Sequence, residues 1–91
     1  MKRTIYWSVN RANGHAHYYF DKDQMFRDWG SAKRLMNHIE QFNIVFYALE
    51  TEITDEFILE LLNGEFTHCM LPNYRGAKMF NLEYIEKEYG S

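Results

Sequence analysis

The stretch Ile5-Tyr6-Trp7-Ser8-Val9-Asn10-Arg11-Ala12-Asn13-Gly14-His15-Ala16-His17-Tyr18-Tyr19-Phe20 decides the fold. Asn13-Gly14 is the preferred pair for a two-residue type I′ turn, because both central positions of that turn need positive φ. A turn there aligns Ala12 with His15, Arg11 with Ala16, Asn10 with His17, Val9 with Tyr18, Ser8 with Tyr19 and Trp7 with Phe20. Side chains alternate across a strand, so one face carries Ile5, Trp7, Val9, Ala16, Tyr18 and Phe20. The other carries Thr4, Tyr6, Ser8, Asn10, His15, His17 and Tyr19. The expectation is an antiparallel hairpin with one dry and one wet face.

Downstream of the hairpin, Asp21 and Gln24 have the spacing of a capping box, with Asp23 as a competing cap, and open a helix that runs to about Gln41. Met25, Trp29, Ala32, Met36 and Ile39 recur at helical spacing and form the stripe expected to cover the hairpin's apolar face. Gly30-Ser31 interrupts it. Either one helix tolerates a glycine at a cost of roughly 1 kcal/mol relative to alanine, or Ser31 caps a second helix after a short first one.

Ile44 to Leu49 is dense in β-branched and aromatic residues and apolar on both faces, which marks an internal strand. Thr54 then caps a helix whose first turn holds Asp55 and Glu56 at its positive end, with Ile53 and Ile58 at the two positions of a hydrophobic staple. Asn63-Gly64 stops that helix. Glu65 to Leu71 reads as a strand ended by Pro72 and a turn through Gly76. After Asn81, Leu82, Ile85 and Tyr89 keep helical spacing, although Phe80, Leu82 and Tyr84 alternate as in a strand; the helical reading is preferred. The elements spell ββαβαβα. The fold class is therefore α+β: one small domain over residues 1–91, opening with the hairpin and a helix, its antiparallel sheet packed by helices on one face.

Composition is that of a globular chain, with 46% hydrophobic and 25% charged residues, and excludes intrinsic disorder. The lone Cys69 makes no internal disulfide, which favours the cytoplasm. Residues 5–9 are too short and too alternating for a signal peptide, and the six-residue apolar run from Ile44 to Leu49 is far below the roughly 20 residues of a spanning helix. Charge divides by half. Residues 1–47 carry seven basic and four acidic side chains, whereas residues 48–91 carry three basic and nine acidic ones. Such asymmetry can orient an approaching partner.

The chain has no phosphate-binding loop, zinc-finger spacing or nucleophile motif. His15 and His17 lie about 7 Å apart on one strand face, but two histidines lack the further ligands of a zinc site, and no metal or cofactor is expected. Adjacent strand residues such as His68 and Cys69 point to opposite faces and make no nucleophile–base pair. Enzymatic activity is not expected. On the hairpin's wet face, Tyr6, Tyr19, His15 and His17 would form a stacking platform for nucleic acid, with Arg3 and Arg11 on phosphates. Against that reading stand the sequence pI of about 5.7 and the lack of a basic stripe. In the acidic half, Glu50 and Glu52 share a strand face and Glu56 and Glu60 share a helix face. Like charges at i,i+4 are mildly destabilising, and a basic partner relieves them; a solvated face kept acidic for solubility is the duller alternative.

In size, acidity and aromatic content the chain resembles small phage-encoded antagonists of host defence, such as anti-CRISPR and anti-restriction proteins. The leading expectation is a small soluble protein–protein interaction module that inhibits or modulates a larger, nucleic-acid-handling complex with a basic surface, through Glu50, Glu52, Glu56, Glu60 and an exposed aromatic such as Tyr74. The alternative is a nucleic-acid-binding module using the outer face of the hairpin.

Overall fold

The computed structural model describes residues 2–63 and 76–90. In chain order the elements are β1 (Lys2–Asn10), β2 (His15–Tyr19), α1 (Lys22–Arg27), α2 (Ala32–Phe42), β3 (Ile44–Glu52), α3 (Asp55–Asn63), β4 (Lys78–Met79) and α4 (Leu82–Tyr89). All pairings in the sheet are antiparallel and the strand order is β2-β1-β3-β4. The class is α+β, with β3 internal as its doubly apolar pattern implies. The strand expected over Glu65 to Leu71 and the turn beginning at Pro72 lie outside the described residues; the short edge strand β4 follows them.

The hairpin forms, but around a longer loop. Asn10 pairs with His15, Val9 with Ala16, Ser8 with His17, Trp7 with Tyr18 and Tyr6 with Tyr19, a slip of two residues from the type I′ register. Among the loop residues only Gly14 has positive φ, at 78°, so the double positive-φ turn is absent. Asn10 is the reason. Its carbonyl accepts from both Asn13 and Gly14, while its side-chain Oδ1 accepts from the Ala12 N–H at 2.9 Å. The loop backbone is thus satisfied by a four-residue turn. A slip of two preserves strand parity, so Trp7, Val9, Ala16 and Tyr18 stay on one buried face.

Helix boundaries follow from their caps. Asp21 accepts from the Asp23 N–H at 2.9 Å and opens α1; Ser31 accepts from the Arg34 N–H and opens α2; Asn81 accepts from the Tyr84 N–H and opens α4. The Thr54 hydroxyl accepts from the Phe57 N–H at the start of α3. Gly30, with φ of 90°, cannot be a helical residue, and it separates α1 from α2. The break resets the helical phase. Phe26 and Leu35, absent from the uninterrupted stripe, are buried, while Trp29, Ala32, Met36 and Ile39 are only half-buried.

Both faces of the sheet are covered, which corrects the expectation of helices on one face and of a wet hairpin surface. Ile5, Trp7, Val9, Ala16, Tyr18 and Leu49 pack with Ile53, Ile58 and Leu61 from the α3 segment. On the opposite face, Ile44 and Phe46 pack with Met25 and Phe26 of α1, Leu35 of α2 and Ile85 of α4. The stripe of α1 and α2 therefore covers the face carrying Tyr6, Ser8 and Tyr19, and α3 takes the face that stripe was expected to cover. A sheet with apolar residues on both sides needs two covering layers to keep them from water.

Candidate interaction site

The sheet sends α3 to one side, and its sequence leaves that helix an outward face of Asp55, Glu56, Leu59, Glu60 and Asn63, all exposed. Ile58 and Leu61 are buried on the inward side, so the spacing that anchors the helix also projects both predicted carboxylates into solvent. Leu59 stands between them at 59% exposure, with Met79 the most exposed large apolar side chain among the described residues. At the first turn the Arg3 guanidinium reaches Asp55 at 3.2 Å, tying α3 to β1. That contact leaves Arg3 half-buried and paired with Asp55 at the surface.

Glu50 and Glu52 are exposed as well, on the even-numbered face of β3, opposite Thr4 and Lys2 in β1. That is the side of the sheet carrying α1, α2 and α4, so the two predicted acidic pairs start from opposite sides. Tyr74 lies outside the described residues. Glu83, Glu86 and Glu88 add further exposed carboxylates on α4.

The stacking platform expected on the hairpin is not assembled. Tyr6 is packed into the helical layer with its ring centroid 6.3 Å from that of Phe80. Tyr19 donates its phenol proton to the Asp28 carboxylate at 2.8 Å. Burial, and then the Asp28 carboxylate, hold that phenol well above its ordinary range. His15, His17 and Arg11 remain exposed at the hairpin end. Among the described residues no group of three or more His, Cys, Asp or Glu side chains is placed to hold a metal ion, and no helix is long and apolar enough to cross a membrane.

Helix α4 is held to α1 by phenols. Lys22 Nζ donates to Tyr84 Oη at 2.7 Å, the Tyr89 hydroxyl donates to Asp23, and Tyr89 stacks on Phe26 at 4.4 Å. Burial and Asp23 raise the Tyr89 phenol above its usual value. These contacts fix α4 at an offset from α2 and leave an open groove of about 690 Å³, lined by Met36, Ile39, Glu40, Asn43, Leu82, Glu86 and Gly90. Sequence reasoning assigned Met36 and Ile39 to the core and missed the groove, because only the packing of α4 decides which flank of α2 stays open.

No protein-family model, no curated protein and no solved structure matches the chain.

Proposed function

We propose that this protein is an interaction module that acts by contact, inhibiting or modulating a larger nucleic-acid-handling complex with a basic surface, as phage-encoded antagonists of host defence do. It works without catalysis, in the cytoplasm. The observation that carries this reading is the outward face of α3, where Leu59 stands exposed between Glu56 and Glu60. An apolar side chain beside two like charges suits an interface in which the charges speed encounter and the apolar contact holds the complex. Glu50 and Glu52 form a second exposed acidic pair on the even-numbered face of β3, on the side of the sheet opposite α3.

The test is capture of a partner from a lysate by the tagged protein, with and without nuclease, followed by association kinetics on the captured component. Capture that survives nuclease, an association rate lowered by Glu56→Lys with Glu60→Lys, and faster dissociation of Leu59→Ser support the reading. Capture abolished by nuclease would transfer the function to nucleic acid and to His15, His17 and Arg11.

A further inference from the structure

We infer that the groove between α2 and α4 is a second docking site, and that its occupant is the apolar face of a basic amphipathic helix from a partner protein. This rests on the reading of the chain as an interaction module but uses a different surface, since α2 and α4 cover the sheet face opposite α3. Three observations converge on the groove. Its apolar lining is Met36, Ile39 and Leu82, and Leu82 is 49% exposed at the first position of α4. Among the described residues its charged lining is Glu40 from α2 and Glu86 from α4, one carboxylate on each wall. Neither carboxylate has an ion-pair partner among the described residues.

Chemistry selects the occupant. Two helices leave an open cleft whose apolar lining suits leucine-like anchors repeating at i, i+3 or i+4, and a methionine in the lining adapts to different side chains. With a carboxylate on each wall, a helix carrying Lys or Arg beside those anchors is attracted, while an acidic helix is repelled. The outward face of α3 in a second copy is disfavoured by the same charges, because that face and the groove are both acidic and would repel each other.

The probe is a fluorescent amidated peptide of about 18 residues, five helical turns, with leucines along one face and lysines on the other, alongside the same peptide with glutamate at every lysine. Binding is read by anisotropy, and its location by methyl NMR of Met36, Ile39, Leu82 and Leu59. The expected result is saturable binding of the lysine peptide only, with shifts at Met36, Ile39 and Leu82 but not at Leu59. Leu82→Ala weakens it about tenfold, the loss of one apolar anchor, and Glu40→Gln with Glu86→Gln weakens it and flattens its salt dependence. All three replaced side chains are exposed, and circular dichroism verifies that the variants keep the fold. Shifts at Leu59 instead, equal binding of the glutamate peptide, or self-association of the protein that Leu82→Ala abolishes would each overturn the proposal. Retention of the nuclease-resistant partner by Leu82→Ala separates the fate of the groove from that of α3.

Discussion

Replacing Gly30 by alanine decides whether the α1–α2 junction is built as described, because the two readings of Gly30-Ser31 give opposite signs. In a continuous helix, Gly→Ala stabilises by about 1 kcal/mol. In the folded chain, however, Gly30 has φ of 90°, a conformation that L side chains rarely adopt. Space is not the obstacle, since an added Cβ would have Arg34 Nη1 as its nearest neighbour at 3.9 Å. The penalty is therefore that of the backbone, roughly 1–2 kcal/mol, in a protein whose whole stability is on the order of 5–15 kcal/mol. At about 4–8 °C per kcal/mol for a domain of this size, Tm should fall by roughly 4–16 °C. Urea unfolding followed by circular dichroism should show a lower midpoint with an unchanged slope. Ser31→Ala removes the cap on the Arg34 N–H and should itself cost about 1 kcal/mol. A higher Tm for Gly30→Ala would refute the break. The chain would then continue as one helix, and the phase that sets Met36 and Ile39 beside Leu82 would not exist.

Further outcomes follow from other contacts. Phe46→Ala, at a fully buried ring 4.8 Å from Phe26, should lose about 3–5 kcal/mol in urea unfolding, whereas Leu59→Ser at its exposed site should stay within about 0.5 kcal/mol. The Tyr19 and Tyr89 phenols are raised in the fold, so the native state keeps protons that the unfolded chain releases above about pH 10. That contribution to stability is intact below pH 10 and is lost as pH rises further; phenolate absorbance should show both groups ionising late, and Tyr19→Phe with Tyr89→Phe should raise the midpoint of alkaline unfolding. Glu56→Lys with Glu60→Lys should leave the circular dichroism spectrum unchanged and slow association with the captured partner; an unchanged rate would make α3 only a solvated face.

Much of the fold is legible because it is set by local chemistry. A period of two sorts Trp7, Val9, Ala16 and Tyr18 onto one face whatever the loop length, provided the register slips by an even number of residues. Asp21, Ser31, Thr54 and Asn81 announce helix starts because a short side-chain oxygen satisfies an otherwise unpaired backbone N–H. Glu56 and Glu60 are legible as exposed because Ile58 and Leu61 occupy the inward side of the same short helix. The loop was not legible from Asn13-Gly14, because the Asn10 side chain competes for the loop N–H groups and lengthens the turn.

Sequence alone determined the hairpin strands, the strand from Ile44, the helix starts at Asp21, Thr54 and Asn81 and the two faces of each strand, since these depend on neighbours within a few residues. The break at Gly30 and the edge strand β4 are decided only in the folded chain. Tertiary structure decided which layer covers which face. Both sheet faces offer apolar residues, and no local rule assigns α1 and α2 to Tyr6 and Tyr19 while sending α3 to Trp7. The partially open flank of α2 was decided in the same way, because the Lys22–Tyr84 and Tyr89–Asp23 hydrogen bonds join residues more than 60 positions apart. Their geometry exists only once the whole sheet has brought α1 and α4 together.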